Sequence, residues 1–144
     1  MVHLTKPSWL FWSLLVAICA SLSGCGKAQL PTLAGGKSVE HWVTALQDPD
    51  VKVREEAAMK LGNVGSSDPA AIPALIGALK DKSAQVRREA ILGLSKSGRA
   101  AQEAIGPLTE LQKNDQDPKV REIAARGIKR LQRSGGAANG AGNS

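Results

Sequence analysis

The sequence predicts an all-α protein, a short right-handed α-solenoid of about three helical hairpins, and three observations carry that expectation. The first is a repeat: Val39, Ile72 and Ile105 stand 33 residues apart, as do Trp42, Leu75 and Leu108, and Val53, Val86 and Val120 follow at spacings of 33 and 34. A fixed period in this range marks stacked units, none of which can bury its apolar face alone. The second is that each period holds two stretches with the spacing of one helix face. The third is composition: 42% of the 144 residues are apolar but only four are aromatic, and Trp9, Phe11 and Trp12 all lie near the start. Trp42 is then the one aromatic side chain available to a core of Ala, Val, Ile and Leu, a set that suits closely packed helices.

The repeat does not start at residue 1. Lys6 supplies a positive charge ahead of Trp9 to Ala20 (WLFWSLLVAICA), an apolar run too short to span a bilayer comfortably and typical of a signal-peptide core. The next residues, LSGC from Leu22 to Cys25, resemble the lipobox of bacterial lipoproteins, in which a peptidase cuts before the cysteine and the cysteine is lipidated. The resemblance implies a signal peptide over 1–24, lipidation at Cys25, and a domain held outside the cytoplasm in the bacterial cell envelope. Each methylene of such an anchor contributes about 0.8 kcal/mol when buried in lipid. Cleavage after Ser23 as in an ordinary secreted protein, or an uncleaved anchor, are the alternatives. Cys19 leaves with the signal on this reading, so no disulfide is expected, and the loss of Lys6 takes the net charge from +6 to +5.

Residues 25–37 read as the lipidated cysteine and a flexible tether, rich in Gly and small side chains. Within it GGKS, 35–38, is not a phosphate loop: Pro31 stands where the first glycine is required and no strand is expected before it. It reads better as a flexible Gly pair followed by Ser38 as a helix N-cap.

The repeat domain is expected over 38–133, in units of about 38–65, 68–98 and 100–133. The first helix of a unit shows Val39, Trp42, Val43 and Leu46, then Ile72, Leu75, Ile76 and Leu79, at i, i+3, i+4, i+7. The second shows Val53, Ala57, Leu61 and Val64, then Val86, Ala90 and Leu94, the alanine permitting close helix approach. Asp50, Ser83 and Asp117 each precede the valine by three and are expected to cap the second helix; Pro118 and Pro69 suit first helical positions. Gly65 and Gly98 are expected C-caps. In unit three Leu131 continues the stripe to a stop at Gly135, a final helix about one turn longer. That unit also departs from the pattern at Thr109, at Gln112 and in the longer turn QKNDQD. Residues 134–144 (SGGAANGAGNS) carry neither charge nor large apolar side chain and read as a disordered tail.

The stretch AIPALIGALKDKSAQVRREAILGLSKSG, with a Pro in its first helix, a turn Asp and a Val-Arg opening its second, resembles a HEAT or HEAT-like repeat. The resemblance implies a ladder in which Arg54, Arg87 and Arg121 join the turn aspartates Asp48, Asp81 and Asp115, five residues before each valine, linking adjacent units. It also implies that second helices line the concave surface. Stepping 100° per residue, the face opposite the arginines carries Glu56, Met59 and Asn63, then Glu89, Leu92 and Lys96, then Ile123, Arg126 and Arg130. Met59 and Leu92 are apolar where a solvated residue is expected, which suits a partner's apolar side chain. Lys119, Arg126, Arg130 and Arg133 share a face of the last helix and make that end basic.

Chemistry of other kinds is poorly provided for. His3 and His41 are the two histidines, and His3 leaves with the signal, so a His-rich metal site is excluded and no cofactor is expected; His41 reads as a surface residue. HEAT-like proteins include bilin lyases, but nothing in the chain points to a tetrapyrrole. Nucleic-acid binding fits neither export nor a domain with one aromatic residue for stacking. The expectation is therefore a membrane-anchored, non-enzymatic scaffold that binds a protein or peptide on its concave face. A module whose basic last helix contacts an anionic membrane surface or acidic polymer is the alternative.

Overall fold

The computed structural model describes residues 33–136. The expected signal peptide, Cys25, most of the tether and the tail from 137 lie outside the described residues. Within them the chain forms β1 (Leu33–Ala34) and β2 (Lys37–Ser38), then α1 (Val39–Ala45), α2 (Val51–Val64), α3 (Ala71–Ala78), α4 (Ala84–Ser97), a 3-10 segment (Gly98–Ala104), α5 (Ile105–Asn114) and α6 (Pro118–Gly136). The helices pair as three hairpins, α1/α2, α3/α4 and α5/α6, and stack as an α-solenoid. No helix among the described residues is long and apolar enough to cross a membrane.

The core follows the repeat. Trp42, Leu75 and Leu108 of the first helices and Leu61, Val86, Leu94, Val120 and Leu131 of the second are buried or nearly so. Val53, the first of its column, is half-buried, and Val43 is 37% exposed despite its place in the apolar spacing. Ala58 and Ile91, beside the Ala57 and Ala90 of the expected stripe, are also fully buried. The second helices α2 and α4 are thus covered on two sides, by the hairpin partner and by the next unit.

Small residues set how closely the second helices meet. A Cβ on Gly62 would lie 2.6 Å from the Gly93 Cα, so α2 and α4 touch backbone to backbone. At the next junction a Cβ on Gly127 would lie 2.7 Å from Ser95 Oγ and 3.2 Å from Ile91 Cγ2. The pattern is one position of each unit packed on another: nine residues past the valine (Gly62, Ser95) against seven past it in the next unit (Gly93, Gly127).

Several boundaries differ from expectation. Residues 33–37, read as tether, belong to an antiparallel hairpin with Leu33 opposite Ser38 and Ala34 opposite Lys37. Its two loop residues, Gly35 and Gly36, have φ of 62° and 82°, the pair of positive values that a two-residue hairpin turn demands and that glycine adopts without strain. The Trp42 Nε1–H donates to the Ala34 carbonyl at 2.6 Å and fastens the hairpin over the first unit. Ser38 caps α1, accepting from the His41 N–H, and Asp50 and Asp117 cap α2 and α6, accepting from Lys52 and Lys119. Ser83 occupies the cap position of α4 in extended conformation but makes no side-chain capping bond. Gly65 ends α2 in helical conformation, so its glycine serves packing: a Cβ there would strike Ser97. Gly98 does take a positive φ, 57°, as α4 turns into the 3-10 segment. Finally, α6 runs 19 residues through Gly135 to Gly136, against 14 in α2 and α4, so residues 134–136 are helix and not tail.

Candidate functional site

The arginine after each valine is held by its own turn. Arg54 Nη1 donates to the carbonyls of Asp48 and Pro49 at 2.8 and 3.1 Å, and Arg87 Nη1 to those of Asp81 and Lys82 at 2.8 and 3.3 Å. The rest of the guanidinium reaches the next unit. Arg54 donates through Nε and Nη2 to the two Asp81 oxygens at 2.8 and 3.2 Å, and Arg87 to those of Asp115 at 2.8 and 2.7 Å. These are bidentate ion pairs of the stronger kind, and their side chains are no more than 14% exposed.

Each aspartate is further fixed by its own turn, Asp81 accepting from the Ser83 N–H and Asp115 from the Asp117 N–H. Burial alone would raise the Asp81 carboxyl. The hydrogen bonds from Arg54 and Ser83 and the Arg54 charge overcome that and hold it below the usual carboxylate range. Asp115 is lowered in the same way against burial by Arg87, the Asp117 N–H and the Arg121 charge. The hydrogen bond to Asp81 raises the Arg54 guanidinium, against burial. Arg88 and Asp117, 3.8 Å apart, add a looser cross-unit pair that the sequence spacing did not single out.

The two outer members of the six make no rung. The Asp48 carboxylate accepts from the Asp50 N–H of its own turn, and Arg121 donates to the carbonyls of Asp115 and Gln116. Among the described residues the ladder therefore has two inter-unit rungs, Arg54–Asp81 and Arg87–Asp115, with Asp48 and Arg121 of the six expected ladder residues outside them.

The outward face of the second helices holds two hollows. One, of 240 Å³, is lined by Lys52, Glu55, Glu56, Met59 and Glu89, and the other, of 230 Å³, by Leu92, Ser95, Ile123, Arg126, Gly127 and Arg130. Met59 and Leu92 are each 41% exposed, while Ile123 is half-buried against the core. The face changes sign along the stack, acidic between α2 and α4 and basic between α4 and α6. Lys96 links the columns through its ammonium, 3.4 Å from Asn63 Oδ1. Arg126 pairs with Glu122 at 3.2 Å with both side chains largely exposed, and Glu56 lies 3.8 Å from Lys60. Lys119 and Arg133 are exposed and line neither hollow.

A larger hollow, 820 Å³, opens between the first helices α3 and α5, floored by Ile76, Leu79, Pro107 and Leu111 with Lys80 and Glu110 at its rim. Sequence spacing assigned Ile76 and Leu79 to the core stripe. The exposed His41 stands edge-on to the Trp42 ring, centroids 5.1 Å apart. Among the described residues no three His, Cys, Asp or Glu side chains are grouped to hold a metal ion.

Comparison with known proteins fits this architecture. No curated protein matches the chain. A solved structure, the crystal structure of an engineered protein from a structural genomics consortium, is similar to it with a TM-score of 0.51 and 31% identity, over 69% of this chain and 47% of that one. The chain thus spans about half the length of that protein. A family model described as HEAT repeats matches residues 39–129, well over half of the chain and all three hairpins. The chain belongs to the HEAT-repeat family.

Proposed function

We propose that the protein is a non-enzymatic scaffold that binds a protein or peptide segment along the outward face of its second helices, tethered to the bacterial cell envelope through Cys25. HEAT repeats commonly serve as interaction scaffolds, and one observation supports this face: Met59 and Leu92 occupy the same position in adjacent units and are exposed side by side at 41% each. Met59 lines the acidic hollow and Leu92 the basic one, so apolar side chains of the partner would be seated beside polar anchors of opposite sign. Singly exposed apolar residues are ordinary on a protein surface, but adjacent ones rimmed by charge are typical of recognition surfaces.

The test is affinity capture from envelope extract with the wild-type domain and with Met59→Lys/Leu92→Lys. A partner retained by the first and lost from the second, with folding unchanged by circular dichroism, is expected; equal recovery by both contradicts the site. Mass spectrometry of the mature N-terminus checks the anchor, for which a diacylglyceryl group on Cys25 is expected and an unmodified cysteine is the contrary result.

A second reading rests on α6. Lys119, Lys129, Arg130 and Arg133 pair with no carboxylate among the described residues, unlike Arg126, and an anionic headgroup surface would satisfy them. Salt-sensitive liposome binding that weakens in Arg130→Glu would favour it.

A further inference from the structure

The arginine ladder is one device built three times, and its third copy ends differently. In Arg54 and Arg87 the guanidinium is divided: Nη1 is pinned by two carbonyls of its own turn, and Nε with Nη2 forms a fork that receives a carboxylate of the next unit at 2.7–3.2 Å. Arg121 keeps the first half, its Nη1 lying 2.7 and 3.3 Å from the Asp115 and Gln116 carbonyls. Its Nε and Nη2 meet no carboxylate among the described residues. Pinning fixes the plane of the guanidinium, so the fork is oriented in advance and little side-chain freedom remains to be lost when an anion docks. The setting favours one. The helix that carries it is cationic as a whole, with Lys119, Arg121, Arg126, Lys129, Arg130 and Arg133 against Glu122 alone between Pro118 and Arg133, although Arg126 and Arg130 stand on the face opposite Arg121.

We infer that Arg121 is a docking site for an aspartate carried on a turn of an acidic protein partner, seated as Asp81 is on Arg54 and Asp115 on Arg87. This edge of the stack is distinct from the face that carries Met59 and Leu92, and the inference does not depend on that face being used.

A second copy of the chain is the rival occupant, since Asp48 at the opposite end is a turn aspartate that meets no arginine. The second helices oppose that register. Inside the stack, Gly62 and Ser95 face Gly93 and Gly127 across junctions too tight for a larger side chain. The equivalent positions at the two ends are Lys129 and Lys60, so end-to-end stacking would press two ammonium groups together where the internal junctions hold only glycine against glycine or serine. The β1–β2 hairpin also packs at that end, with Gly35 against the Lys60 side chain.

The fork can be read by NMR of the arginine Nε–Hε groups in the full chain held in detergent, titrated with the peptide acetyl-Lys-Asp-Lys-Ser-amide, the sequence of residues 80–83. The Arg121 signal is expected to shift, half-maximally at about a threefold lower peptide concentration than those of the exposed Arg99 and Arg130, in keeping with the modest strength of accessible ion pairs. The Asn-for-Asp peptide should leave it in place, and Arg121→Lys should abolish the selective response. An Arg121 signal that moves in step with Arg130, or equally with the Asn peptide, overturns the inference. So does a shift that appears on raising protein concentration alone and vanishes in Asp48→Asn, because the occupant would then be a second copy.

Discussion

Gly93 has no room for a side chain. Its Cβ would lie 2.6 Å from the Gly62 Cα and 3.3 Å from Leu75 Cδ1, so Gly93→Ala must push two helices apart and is expected to lower stability by about 3 kcal/mol. Gly77, exposed on α3 with open space around it, supplies the contrast: Gly77→Ala should raise stability by about 0.5–1 kcal/mol through helix propensity. Urea unfolding of the two variants checks both signs. The spacing pointed to alanines as the points of close approach, and those are indeed buried. The backbone-to-backbone contact, however, lies between glycines outside the apolar stripe, which a hydrophobic pattern cannot register. At the same scale, Asp81 and Asp115 titrate below their ordinary value of 3.8 in the folded protein. Above that pH both states are ionised and the ladder's contribution is complete. As the pH falls further, the unfolded chain takes up protons first, so stability is lost through the folded pKa. Asp81→Asn/Asp115→Asn is therefore expected to flatten the loss of stability below about pH 4, measured by urea unfolding across the acid range.

Among the elements, the helices were the most legible part of the chain and their connections the least. The recurring valines and leucines place all three hairpins because burial demands apolar residues at helical spacing. The N-terminal hairpin was missed because GGK reads equally as a tether; what separates the two is tertiary, the Trp42 indole donating to Ala34 across the fold. The turns between helices are built on an Asp-x-Asp pattern in units one and three, where the first aspartate binds the backbone of its own turn and the second caps the helix. Unit two has Asp81-Lys82-Ser83, and Ser83 makes no side-chain cap. Ser83→Asp restores the pattern of its neighbours and should stabilise the protein by about 0.5–1 kcal/mol, seen as a higher thermal midpoint.

For the described residues as a whole, stacking and the proposed recognition fall on different side chains. The backbone contact at Gly62–Gly93 and the packing of Gly127 on the Ser95 and Ile91 side chains, together with the two bidentate rungs, join unit to unit, while Met59, Leu92 and the charges around them face outward. The sequence made both sets nameable, since a repeat exposes which positions are copied and which vary. It did not show which of the six ladder residues meet across units, because a residue's place in the repeat does not say which neighbour its side chain reaches. Nor did it show the hollow between α3 and α5, which arises from how far two short helices stand apart.

If the repeated arginines join units, two chemically identical substitutions should differ in effect. Arg87→Ala strips its partner from Asp115, whose side chain is 4% exposed, whereas Arg121→Ala disturbs only contacts within its own turn. Unfolding free energies from urea titration should fall by about 3 kcal/mol for Arg87→Ala and by less than about 1 kcal/mol for Arg121→Ala. Equal losses, or an Arg87→Ala variant as stable as the parent, would contradict the account.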